Sequence, residues 1–320
     1  MLRFVFLAAL ALFGAVPGAT AETFPSKPIR LVIPYAPGGG TDNLMRIIAG
    51  EASAALGQQL IIDNRPGAAS VIGTEAVAKA APDGYTILAS DSAFLTNPGL
   101  MKHLPFDAAR DFTGVTMLAT SPVILVAHPS VAAKDVKELI ALAKSKPGTL
   151  NYASGGNGSS PHLAGELLKQ AAGIDLVHVP YKGTGPAMTD LLGGQVQLSF
   201  TGISSSRQYI DKGQLRALAI TGTKRNPAVP EIPTFAELGF GELDANTYWG
   251  VYAPAATPKA HLAILNAAFV KAVRSPALAQ RLADLGYEPI GNSPDEHTAQ
   301  MRAMIQHWAE VIRRANIQAD

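Results

Sequence analysis

Short apolar runs alternate with amphipathic stretches along most of this chain. Ile29, Leu31, Ile33 and Tyr35 alternate on one face of a first strand, which Pro34 and Pro37 help to end. Leu44, Met45, Ile48, Ala52 and Leu56 then fall at helical spacing, and Gly57 closes the helix. The same reading predicts strands at Leu60–Ile62, Tyr85–Ala89, Val123–Ala127, Leu150–Ala153, Leu176–Val179, Val196–Phe200, Leu215–Ile220 and Thr247–Tyr252. Helices are predicted at Ser70–Ala80, around Val136, Leu139, Ile140 and Ala143, and at Pro161–Ala172, Pro186–Leu192 and Ser204–Lys212. A helical C-terminal region runs from Pro258 to Ala315, with breaks at Pro276 and Pro294.

Short strands separated by helices imply an α/β fold with mostly parallel sheets and helices on both faces. The middle third reads as its own α/β unit. The C-terminal helices need a sheet to pack on, and the N-terminal unit is the nearest one. The expected organisation is therefore a discontinuous first lobe, residues 22–124 plus 247–320, and a second lobe, residues 125–246.

The first residues break this pattern. Arg3 precedes an apolar run of 13 residues, Phe4–Val16, then Pro17-Gly18 and the small-x-small sequence Ala19-Thr20-Ala21. That is a cleavable export signal over residues 1–21, with cleavage expected before Glu22. Its apolar run is too short for a bilayer core, which needs about 20 residues. Removing 21 of 320 residues leaves 299, enough for two domains. The expected product is a soluble monomer outside the cytoplasm, with no stable membrane insertion. Lys and Arg total 26 against 25 Asp and Glu, so there is no basic field for nucleic acid. The chain has no cysteine, which excludes disulfides, Cys nucleophiles and Cys-based zinc sites.

Two Gly-rich loops sit between a strand and a helix: Pro34 to Asp42, and Ser154 to His162. Glycine lets a ligand approach the backbone, and the following helix offers unpaired N–H groups with partial positive charge. Ser160 is placed as N-cap, with Pro161 at the first helical position. Tyr35, Gly39, Gly40 and Asp42 on the first loop, and Asn157, Gly158, Ser159, Ser160 and His162 on the second, are therefore candidate ligand-binding residues for a small anion such as a carboxylate. Further loops follow predicted strands, where open α/β sheets bind ligands. They add Ser90 and Ser92, then Tyr181, then Thr201. Neither Gly-rich loop has P-loop or G-x-G-x-x-G spacing, so no nucleotide cofactor is expected. Nucleophile-elbow and H-E-x-x-H patterns are absent, so neither an enzyme nor a metal site is expected.

Three stretches, PYAPGGGTD with DNRPGAASVIGTEAVAKAAPDGYTIL, NYASGGNGSSPHLAGELLK, and VPYKGTGPAMTDLLGGQVQLSF, resemble the Bug family, receptors of tripartite tricarboxylate transporters. The similarity extends from about Phe24 to the C-terminus and includes TKRNPAVPEIPTFAELG. The resemblance implies a two-lobed periplasmic binding protein of type II architecture that closes on a ligand by hinge motion. It implies a small organic acid as ligand (a di- or tricarboxylate or an aromatic carboxylate) and the transporter's membrane permease as partner. It also implies that the loop Tyr35 to Asp42 holds bridging waters and that Asn157 to Ser160 grips a carboxylate. Thr201 stands where many relatives have an acid, which argues against an α-amino acid ligand. Asp91 and Arg207 have no assigned role: Asp91 would repel a carboxylate unless paired, and Arg207 is either a counter-charge or a surface residue. A sensor that feeds a signalling partner, or an exported enzyme, are the alternatives.

Overall fold

The computed structural model describes residues 23–318 apart from positions 242 and 244. The predicted export signal lies outside the described residues.

Two sheets organise the chain. The first is built from β1 (Ile29–Ile33), β2 (Leu60–Asn64), β3 (Thr86–Ser90), β4 (Phe112–Ser121), β10 (Thr247–Pro254) and β11 (Glu288–Pro289), in the order β11-β4-β10-β3-β1-β2. The second contains β5 (Val123–Ala127), β6 (Asn151–Ser154), β7 (Val177–Pro180), β8 (Leu198–Gly202) and β9 (Arg216–Ile220), in the order β7-β6-β8-β5-β9. The chain passes from the first sheet to the second at Pro122 and returns through residues 221–246.

The sheets are mixed rather than mostly parallel. In the first, β1 pairs parallel with β2 and β3, but β10 runs antiparallel to both β3 and β4, and β11 to β4. In the second, β5 runs antiparallel to β8 and β9. The pattern of apolar residues reports which residues are buried, not which way a strand runs, and the crossings reverse direction. The strand β4 was not predicted. Its Thr and Gly residues dilute the apolar run, yet Phe112, Val115, Met117 and Leu118 are fully buried.

Helices cover both faces. One face of the first sheet packs on α1 (Gly40–Leu56), α8 (Lys259–Arg274) and α9 (Pro276–Asp284), through Leu44, Ile48, Leu265 and Phe269. Its other face packs on α2 (Val71–Ala78), α3 (Ala93–Leu100) and α10 (Pro294–Arg314), and this apolar cluster continues into the second sheet and α4 (Val136–Ser145) and α5 (Ser160–Ala172). The far face of the second sheet packs on α6 (Thr184–Leu192) and α7 (Ile203–Asp211). Among the described residues no single helix is long and apolar enough to cross a membrane.

The local signals explain the helix starts. Ser275, Ser159 and Ser293 are N-caps whose side chains accept backbone N–H bonds, each with proline in the first turn. Ser293 and Glu296 complete a reciprocal capping box. The cap of α5 is Ser159, one residue earlier than expected, because its hydroxyl lies within reach of the His162 N–H.

Candidate functional site

Three helices that begin between the sheets have a glycine at the cap. Gly39 precedes α1, Gly183 precedes α6 and Gly202 precedes α7, and none of these starts has a side-chain cap. The N–H groups of a helix's first turn have no partner within the helix and carry about half a positive charge. A glycine cap leaves them for an outside acceptor. The start of α5 joins them, and all four line one small cavity, together with Tyr35, Asp91, Thr247 and Trp249.

The cavity holds about 40 Å³ of free space. By the same measure a water needs about 10–15 Å³, so the space matches roughly three waters or one small polar head group. No Lys, Arg or His lines it. Positive potential there comes from backbone dipoles alone. Ser205, in the first turn of α7, lines the cavity, and its buried hydroxyl has no hydrogen-bond partner among the described residues.

Asp91 is the one charged residue in the lining, and its role is internal. Its carboxylate accepts from Tyr35 Oη at 2.6 Å, from Thr41 Oγ1 at 3.2 Å and from the Ala93 N–H at 3.0 Å. Trp249 Nε1 in turn donates to Thr41 Oγ1 at 3.1 Å. These bonds fix the floor of the cavity and occupy the Tyr35 hydroxyl. Burial pushes the Asp91 pKa upward, against the pull of its three donors. Burial, with Asp91 beside it, also holds the Tyr35 hydroxyl protonated well past its ordinary range.

A second hollow of about 220 Å³ adjoins the first and shares Tyr35, Gly155 and Ser159 with it. Its walls include Pro34, Ala68, Ala69, Ala93, Asn157 and Tyr181. The Tyr181 hydroxyl donates to Asp190 at 2.7 Å, so the ring rather than the polar tip is left for a ligand.

Of the sequence-predicted residues, the structure brings Tyr35, Gly39, Gly40 and Ser159 to the first cavity and Asn157 and Tyr181 to the second hollow. The others lie outside both linings. Asp42 ties the first loop together, accepting from Gly38 N–H, Asn64 Nδ2 and Arg46 Nε. Burial would raise its pKa, but these donors, Arg46 foremost, hold it below the ordinary value. Ser92 accepts from the Tyr248 N–H, and Ser160 donates to the Asn246 carbonyl of the returning segment. His162 Nδ1 accepts from the Gly158 N–H, and its ring stacks on His178. Ser90 and Thr201 are fully buried at strand ends. Arg207 pairs with Asp211 on the surface. Gly155, Thr184, Ser205, Thr247 and Trp249 also line the first cavity and are not among the sequence-predicted site residues. The glycines before α6 and α7 were the available signal, whereas Trp249 within a strand reads as core.

Contacts across the cleft hold the loops in place. Thr96 Oγ1 on α3 donates to the Gly158 carbonyl, and Ser204 Oγ of α7 bonds the Tyr287 hydroxyl at 2.9 Å. At Gly158 the φ of +79° favours glycine, and an added Cβ would lie 2.3 Å from Asn97 Oδ1. Gly158→Ala is therefore expected to lower the melting temperature by several degrees and weaken ligand binding at least ten-fold. Calorimetry and ligand titration check both; an unchanged affinity would show that the α3 contact does not shape the site.

Residues 44–317 match the tripartite tricarboxylate transporter family receptor model. The chain is 37% identical over 313 residues to the protein BugT of Bordetella pertussis, covering 96% of each chain. Among solved structures, periplasmic binding protein BugD superposes with a TM-score of 0.88 at 33% identity, covering 92% of this chain and 99% of that one. R. palustris Rpa4515 with adipate gives 0.89 at 34% identity, over 92% and 99%. MatC from Rhodopseudomonas palustris with bound malate gives 0.84 at 32%, over 90% and 100%. The chain is a two-lobed protein of the Bug type and belongs to the tripartite tricarboxylate transporter receptor family.

Proposed function

We propose that this protein is a periplasmic receptor that captures a small organic carboxylate between its lobes and delivers it to a tripartite tricarboxylate-type permease. The observation that carries the reading is the convergence of four helix N-termini on one cavity without a side-chain cation. A desolvated carboxylate needs several donors, and the first-turn N–H groups of α1, α6 and α7, which have no side-chain cap, supply them in fixed positions. A neutral or cationic head would leave those donors unpaired. The relatives bound to adipate and malate support the same ligand chemistry. The lining contains no histidine or lysine to serve as a base for its serines, which favours binding over turnover. Tyr35, Gly39, Gly40 and Ser159 of the first lining and Asn157 and Tyr181 of the second, with hinge motion between residues 22–124 plus 247–320 and residues 125–246, form the binding machinery. The permease partner and the compartment rest on the family and on the leader-like first 21 residues.

A thermal-shift screen of the purified protein against carboxylates, sugars and amines tests this. At least one carboxylate is expected to raise the melting temperature by several degrees, since about 2.7 kcal/mol accrues at a hundred-fold excess over Kd. Stabilisation by a sugar or an amine, with no carboxylate active, would overturn the reading.

A further inference from the structure

The first cavity is too small for most organic acids. Its 40 Å³ accepts a head group, and the remainder of any larger ligand must extend past Tyr35, Gly155 and Ser159 into the 220 Å³ hollow. The chemistry of that hollow is different. The residues around it are largely prolines, alanines and glycines, and Tyr181 has its hydroxyl turned to Asp190. Its polar groups are partly committed as well: Ser70 Oγ lies 3.2 Å from Asn97 Nδ2, and Ser159 Oγ donates to the Gly156 carbonyl at 2.7 Å. The one cation, Lys182, is exposed.

One wall is unusual. Gly67, Ala68, Ala69 and Ser70 are consecutive residues with positive φ, at +127°, +45°, +49° and +75°. Left-handed conformation costs about 1–2 kcal/mol for each non-glycine residue. The run is held from α3 by Asn97 Nδ2, which donates to the Ala69 carbonyl at 2.8 Å as well as to Ser70. Such a turn presents two methyl-bearing residues, Ala68 and Ala69, to the hollow on a backbone that Asn97 holds at its C-terminal end.

We infer that the second hollow selects the body of the ligand, and that the preferred ligand is a carboxylic acid with an uncharged, apolar body such as an aromatic ring. The inference rests on the carboxylate reading of the first cavity and adds what lies beyond the head group. Ala69 is a specificity-determining residue on this account. Burying apolar surface against Ala69, Ala93 and the Tyr181 ring stabilises such a ligand, whereas a second carboxylate would sit among groups with few free donors. Lys182, at the exposed rim, contributes little.

Isothermal titration with acetate, benzoate, phenylacetate, hexanoate, succinate and adipate tests this. The best apolar-bodied acid is expected to bind at least ten-fold more tightly than acetate and than either dicarboxylate. Ala69→Leu should weaken it ten-fold or more while leaving acetate within two-fold. Lys182→Gln should change no affinity by more than two-fold. Ala68→Leu, at the more exposed neighbouring position, replaces Ala69→Leu if that variant does not fold. The inference is overturned if adipate or succinate binds best and Lys182→Gln removes that preference, or if the leucine variant weakens acetate and the larger acids equally. Binding of carboxylates without a preference for apolar bodies sinks this inference alone; binding of none sinks the head-group reading with it.

Discussion

Ser205→Asp should abolish ligand binding, by at least a hundred-fold, and leave the protein folded. Ser205 lies in the first turn of α7, and its side chain lines the head-group cavity. An acid in the first turn of a helix is compatible with the helix dipole, at about 0.3–1 kcal/mol in its favour. The fold therefore has no reason to collapse. A carboxylate ligand, however, would meet a fixed negative charge in a site with no cation to compensate, and like charges brought together across an interface cost several kcal/mol. Ser205→Ala removes only the hydroxyl and should cost roughly 1 kcal/mol, about five-fold in Kd. Titration with the best acid, with melting curves for both variants, checks the pair. Equal affinities for Ser205→Asp and the unmodified protein would place the anion elsewhere.

Acid should destabilise the protein through His297, independently of ligand. This residue in the first turn of α10 is fully buried, and neither ring nitrogen has a hydrogen-bond partner among the described residues. It fits because its neighbours on β4 and β10 are glycines: a Cβ at Gly114 or Gly250 would lie within 2.7 Å of the imidazole. The Tyr252 ring packs 4.8 Å away. Burial lowers its pKa from 6.5 to about 3. Between these values the unfolded chain binds a proton that the folded protein refuses, so stability falls as pH drops through the window. At about 1.4 kcal/mol per pH unit, the loss between pH 6.5 and 4.5 is about 3 kcal/mol.

Two other effects separate cleanly from this one. Asp91 has a raised pKa, so its proton uptake stabilises the folded form as pH falls, in the opposite direction. Asp42 and Asp63 have lowered values, and their contributions are lost only below the unfolded value of 3.8. His297→Leu, close in volume, deletes only the histidine contribution. Urea denaturation at pH 7 and pH 4.5 should show the variant losing about 3 kcal/mol less stability than the parent over that interval. An identical loss in both would show that the folded protein accommodates the charged ring.

The sequence made some of this site legible and hid the rest for physical reasons. The two Gly-rich loops were visible because glycine followed by a helix start is a local signal, and Tyr35, Gly39, Gly40 and Ser159 do line the cavity. Asp42 and Ser160 sit within those loops, yet their side chains brace the loops against Arg46, Asn64 and Asn246. Distinguishing a residue that braces from one that faces the ligand requires the direction of the side chain, which spacing does not supply. Trp249 and Ser205 come from a strand and a helix far from the loops in sequence, and only tertiary packing brings them together. Strand direction was likewise invisible, since β4 and β10 show the apolar pattern of buried strands whichever way they run. The paired role of Asp91 could be stated only as a condition until Tyr35, Thr41 and Ala93 were seen around it.

A crystal structure of the protein with its tightest-binding acid is the most direct test of the central claim. The carboxylate should lie within about 3.2 Å of backbone N–H groups in the first turns of α1, α6 and α7, with Ser205 Oγ as a further donor. A carboxylate held instead by Lys182 or Arg207, with the first-turn N–H groups unoccupied, would contradict the account.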